Sequence, residues 1–165
     1  MKSLIASIAI LGLVGMVVGI AVQGAETASV AATATVQNIS VSVSDGTVAY
    51  GTLAINTTKS TLVGELSDLQ TATNDGNVNE NFNIRGQNSV NWTLSASAGA
   101  NQYVHKFSSD SGIIWTALTT PSYQTLASGK APSGTQTFDL QITTQTSSTN
   151  YTQQSVDVTV QATAA

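Results

Sequence analysis

The chain has 165 residues, a formal net charge of −4 and only 8% charged residues, against roughly 25% in an ordinary soluble domain. Lys59, Arg85, Lys106 and Lys130 stand singly, which excludes the cationic patch that a nucleic-acid partner requires and disfavours anionic lipid surfaces. The absence of cysteine excludes a disulfide framework and a thiolate zinc site. With 24 Thr, 20 Ser and 11 Asn, strand and turn formers dominate and helix formers are scarce.

The first segment reads as an address. Lys2 precedes residues 4–22, which carry no charge, and small residues follow to Ala25 before the first acid, Glu26. The layout is that of a secretory signal peptide. The apolar run is also close to the roughly 20 residues that span a bilayer, so residues 1–25 are a signal peptide or an N-terminal membrane anchor helix. In either case residues 26–165 are delivered outside the cytoplasm as a single β-sandwich domain, extracellular or at the cell surface. The membrane is engaged only through residues 4–22, if they remain uncleaved.

Period-2 alternation dominates from Ala28 onward. Ala28, Val30, Ala32, Ala34 and Val36 predict a first strand over residues 27–37, and a register slip near Gln37 and Asn38 leads into Ile39, Val41 and Val43. Asp45-Gly46 predicts a hairpin turn, with residues 47–55 as the returning strand and Val48, Tyr50 and Leu53 inward. Residues 56–73, with Leu62, Leu66 and Leu69 at helical spacing, read as a connection between sheets rather than a helical turn. Asn74-Asp75-Gly76-Asn77 is a tight turn. Val78, Glu80, Phe82 and Ile84 then alternate, followed by Val90, Trp92, Leu94, Ala96 and Ala98.

Further along, Tyr103, His105 and Phe107 share one face. Residues 113–118 and 123–126 are short strands, and residues 128–134 form a loose segment. Phe138, Leu140 and Ile142 pair with Val156, Val158 and Val160 as a final hairpin. Eight to ten short strands predict an all-β, two-sheet antiparallel sandwich, Ig-like or jelly-roll-like.

No constellation points to catalysis. His105 is the single histidine, no nucleophile elbow accompanies it, and it reads as packing beside Tyr103 and Phe107. Asp139 and Asp157 fall on the expected final strand pair, on the face opposite the valines, where exposed acids keep sheets soluble. Asn74, Asp75, Asn77 and Glu80 offer oxygen ligands of the type calcium prefers, without EF-hand spacing. Trp92 belongs to the core row, whereas Trp115 and Tyr123 are candidates for an aromatic sugar-binding face. Asn38, Asn56, Asn91 and Asn150 open four glycosylation sequons, a number that the Asn, Ser and Thr content explains.

Two stretches carry a resemblance. Thr71-Ala72-Thr73-Asn74-Asp75-Gly76-Asn77-Val78 resembles a turn found in secreted bacterial β-sandwich surface proteins and in fibre-forming proteins of the TasA/camelysin kind. Asn91-Trp92-Thr93-Leu94 resembles the first Trp-x-Leu of WxL cell-wall domains. The second Trp-x-Leu of that family has no counterpart in Val156-Asp157-Val158-Thr159-Val160. These resemblances imply a sandwich fold and a surface role.

The expected function is that of an exported, non-catalytic structural or adhesive protein without a cofactor. It polymerises with itself by strand addition through residues 27–37. The alternative is a monomeric module that binds cell-wall glycan.

Overall fold

The computed structural model describes residues 26–165, so the signal or anchor helix expected over residues 1–25 lies outside the described residues. Two compact units divide the chain, Met1–Ala34 and Thr35–Ala165. In the first, residues 26–34 are extended, without secondary structure, and every one is exposed. The second unit is all-β, with ten strands in two sheets.

The larger sheet contains β1 (Val41–Val43), β2 (Thr58–Ser60), β3 (Gln70–Asn74), β5 (Thr93–Leu94), β6 (Gln102–Ser108), β7 (Thr116–Ala117) and β9 (Thr135–Thr143). Its central strand is β9, flanked by β6 on one side and by β3 and β2 on the other. β2 and β3 follow one another along the same edge of β9, with Ser60 opposite Gln141 and Gln70 opposite Phe138. They are in effect one long strand interrupted by an excursion of residues 61–69. The excursion is closed at its base by the Asp68 amide donating to the Thr61 carbonyl at 2.8 Å. This segment joins two parts of one sheet, not two sheets as its sequence suggested.

The smaller sheet has the order β10–β4–β8, from β4 (Glu80–Arg85), β8 (Gln124–Lys130) and β10 (Thr159–Ala164). Every pairing is antiparallel except β5 with β6, which is parallel. The architecture is therefore sandwich-like, and the 74–77 turn carries the chain from the larger sheet to the smaller one.

The core lies between inward rows that the alternation placed correctly. Phe82 and Ile84 of β4, Tyr103 and Phe107 of β6, and Phe138, Leu140 and Ile142 of β9 are all buried. A fully buried aromatic or aliphatic side chain contributes roughly 1.5–3 kcal/mol relative to exposure, so these rows supply the main driving force.

Four expectations fail, each for a reason of partnership. The strand expected over residues 27–37 is not formed; residues 26–37 have no strand partner among the described residues and lie exposed, with Val30 at 93% and Val36 at 88%. Asp45 and Gly46 do take positive φ values of 40° and 68°, yet residues 47–55 form no strand beside β1, whose ladder partner is β3. The final hairpin is absent: β9 pairs with β2, β3 and β6, while β10 crosses to β4 in the other sheet. Finally, β8 runs on through Lys130, with Gly129 at φ 64°, so the first three residues of the loose segment lie inside a strand.

Candidate functional site

A groove of about 1010 Å³ lies over the inner face of the larger sheet. Its floor is Gln70, His105, Phe138, Leu140 and Ile142. Its walls are two extended segments, residues 47–55 and 150–158, neither of which forms a strand. Among the described residues, no amide of residues 48–55 donates a hydrogen bond, and along residues 150–158 only Asn150 and Thr152 do so, both to nearby side chains. Most of these residues are exposed, so their main-chain groups face solvent and are free to take up a strand partner.

An aromatic cluster sits at the base of the groove. His105, 2% exposed, shares a 2.9 Å hydrogen bond between its Nε2 and the Tyr50 hydroxyl, and the two rings meet edge-on at 5.7 Å. Tyr103 packs against both His105 and Trp92, with centroids 6.3 Å apart in each case. Burial pushes the His105 imidazole down from 6.5 to about 4, against a smaller upward pull from the Val156 backbone. The Nδ1 atom has no hydrogen-bond partner, and neither has Oε1 of buried Gln145, which also lines the groove. Burial likewise drives the Tyr50 and Tyr103 phenols well above their ordinary range, so both stay neutral. A neutral imidazole beside a neutral phenol, with no carboxylate hydrogen-bonded to either ring, resembles packing rather than a proton-transfer relay.

The sequence-derived acids separate. Asp139 is buried, not exposed as expected. It accepts a 2.9 Å hydrogen bond from the Thr61 hydroxyl and lies opposite Ser108 on the outer face, beneath the 61–69 excursion that the sequence did not disclose. Asp157 is exposed and accepts from Gln87 and Ser155. The two are not on adjacent strands.

Trp92 is half-buried against the core and donates from Nε1 to the Asn150 carbonyl at 3.4 Å. Trp115 and Tyr123 have separate surroundings. The Trp115 ring lies by Gly112, which also meets Leu62, while Tyr123 lies under the Arg85 guanidinium at 4.7 Å.

The 74–77 turn gathers its predicted residues, chiefly for internal bonding. The Asn74 amide nitrogen donates to the Val78 and Lys130 carbonyls at 2.8 Å each, and its Oδ1 accepts from the Gly76 amide at 2.8 Å. The Asn77 side chain grips the incoming residues 36–38, accepting from the Asn38 amide at 2.8 Å and donating to the Val36 carbonyl at 2.9 Å. Glu80 is wholly buried at the end of the inward row of β4, and its Oε1 accepts from the Ser40 amide at 2.9 Å. Asp75 is exposed at the lip. Among the described residues no group of three or more His, Cys, Asp or Glu side chains is placed to hold a metal.

No family model, curated protein or solved structure matches this chain.

Proposed function

We propose that this chain is an exported, non-catalytic structural subunit of the cell surface that polymerises by strand addition, its residues 27–37 entering the groove of a neighbouring copy. The observation that carries this reading is the complementarity between the two regions. An exposed row of Ala28, Val30, Ala32, Ala34 and Val36 has no strand partner among the described residues, and a largely apolar floor lies between two backbones most of whose amides make no hydrogen bond within the protein. Eleven extended residues reach about 36 Å at roughly 3.3 Å each, enough to run the length of the nine-residue walls. Small inward side chains suit a floor already filled by Leu140, Ile142 and His105. Each main-chain hydrogen bond completed in this way contributes about 1 kcal/mol, and edge addition is a recurrent mode of peptide recognition.

Strand donation to another copy is favoured over self-insertion by the tether. Val36, Asn38 and Ser40 are held by Asn77 and Glu80 before the start of β1, whereas the nearest residues in the chain that line the groove, Val43 and Gly46, lie at and beyond its end. The finer assignment of the fold as an Ig-like or jelly-roll-like sandwich belongs to the same reading, with the added strand extending the smaller sheet beside β10.

Deleting residues 26–37 is expected to abolish threads seen by negative-stain microscopy of the purified protein. A synthetic peptide of those residues should bind the shortened protein and raise its melting temperature, and Val30→Lys in the peptide should weaken binding at least tenfold. Unchanged threads from the shortened protein would overturn the proposal. A monomer that sediments with cell-wall glycan would support the binding module instead.

A further inference from the structure

We propose that residues 47–55 are a strap that swings aside to open the groove and is latched shut by the hydrogen bond between Tyr50 and His105. That the opened groove admits residues 27–37 of a neighbouring copy rests on the strand-addition reading; the strap itself does not.

Its ends are fixed and its middle is free. Before the strap, the Ser44 amide donates to the Thr71 carbonyl and the Thr71 amide to the Ser44 hydroxyl, each at 2.9 Å, which ties the chain to β3. After it, the Asn56 amide donates to the Gln145 carbonyl and the Thr57 amide to the Thr144 hydroxyl, again at 2.9 Å. Between these anchors, residues 48–53 make a single hydrogen bond among the described residues, the 2.9 Å contact of the Tyr50 hydroxyl with His105 Nε2. Tyr50 is buried, Val48 and Leu53 are half-buried against the core, and Ala49, Gly51 and Thr52 are exposed. A segment held by so few ties opens at a small fraction of the free energy of global unfolding.

The turning points lie where the backbone is already left-handed. Asp45 (φ 40°) and Gly46 (φ 68°) precede the strap, Asn56 (φ 53°) follows it, and Gly51 (φ 75°) stands directly after the latch residue. An added carbon on Gly46 or Gly51 would meet nothing within 4 Å, so neighbours do not jam either point. Hinge motions concentrate at a few junctions of this kind. The floor cannot follow the strap, because His105 and Ile142 lie opposite each other in the β6–β9 ladder. Opening therefore uncovers the floor and returns the Tyr50 hydroxyl and the imidazole to water, which satisfies both and keeps the cost of the lost bond low.

The chain has no cysteine, so Thr52→Cys and Thr137→Cys, both at exposed positions, can carry a pair of spin labels without background. Thr137 belongs to β9 and reports the fixed sheet. Pulsed dipolar spectroscopy at pH 7 is expected to give a main closed distance and a minor open one. Tyr50→Phe keeps the ring and removes the latch, and should raise the ratio of open to closed about fivefold, the factor that one net hydrogen bond supplies. A single distance unchanged by Tyr50→Phe overturns the strap. If that variant does not fold, a urea titration of the labelled parent decides: a distance change at lower urea than the loss of far-UV circular dichroism supports the strap, and coincident transitions refute it. Binding of a peptide of residues 26–37 is read separately, so a strap that opens without taking the peptide supports this inference and sinks strand addition.

Discussion

Gly76→Ala is expected to be the most damaging single-methyl change in the protein, lowering stability by about 3 kcal/mol, the upper part of the range for overpacking a close-packed site. The new Cβ would stand 2.4 Å from the Asn38 carbonyl oxygen and 2.3 Å from Glu80 Oε1. Neither neighbour moves cheaply. The carbonyl is main chain and already accepts from the Asn77 amide, and the carboxylate is walled in at the end of the β4 row. Relief would require parting residues 38–40 from the turn, which breaks the bonds made by Asn77 and Glu80 together. Gly129→Ala is the matched control: its φ of +64° carries a strain of about 1–2 kcal/mol for any L side chain, but nothing lies within 4 Å of the added carbon. Urea midpoints of the two variants measured side by side check the difference, and equal midpoints would show that the corner is looser than its contacts imply.

Acidification gives the second large effect. The folded protein keeps His105 neutral down to about pH 4, whereas the unfolded chain takes up its proton near 6.5. Between those values the unfolded state binds more protons, so stability falls as pH falls and is insensitive to this group above about pH 7. The full loss from this one side chain approaches about 3 kcal/mol at pH 4, from 1.36 kcal/mol per unit of displacement. Protonation there would leave an imidazolium buried against Tyr50 and Tyr103, with no carboxylate hydrogen-bonded to it. Chemical denaturation at pH 7, 5.5 and 4 is expected to show this decline, and His105→Gln should flatten it. A wild-type profile level from pH 7 to 4 would mean that water reaches the ring.

The two sheets and most of the core were legible because alternation reports which face of a strand is apolar. Phe82 with Ile84, Tyr103 with Phe107, and Phe138 with Leu140 and Ile142 follow their sequence rows directly into the interior. Partner choice was not legible. Val156, Val158 and Val160 do pack against the core, but nothing in their spacing tells whether they face β9 across a hairpin or cross to β4. Asp139 looked exposed because its neighbours Phe138 and Leu140 point inward. Its face is covered by the 61–69 excursion, a local event whose covering role no periodicity encodes.

At the corner formed by the 74–77 turn, the residue types of Asn74, Asp75, Asn77 and Glu80 were visible in the sequence. The alternation also set Glu80 in one row with Phe82 and Ile84, but the contact that covers it was not legible, since it depends on residues 38–40 arriving from more than thirty positions away. The groove had no signal at all: residues 47–55 read as a strand and residues 143–153 as a polar connection into the row of Val156 and Val158, and the lack of main-chain partners along both walls is a property of the assembled fold.

The strand pairing has a kinetic consequence. Apart from the short contacts of β6 with β5 and β7, every ladder joins distant parts of the chain: Val41 with Asn74, Gln70 with Phe138, Thr58 with Thr143, and Ile84 with Val160. Closing such long loops costs entropy before any contact repays it, so folding belongs to the slow, millisecond-to-second regime of high-contact-order β proteins. During that interval β4 has no finished neighbour, and its open edge is exposed to other unfinished chains. Few charges guard it against wrong pairing, so refolding yield should drop steeply with concentration.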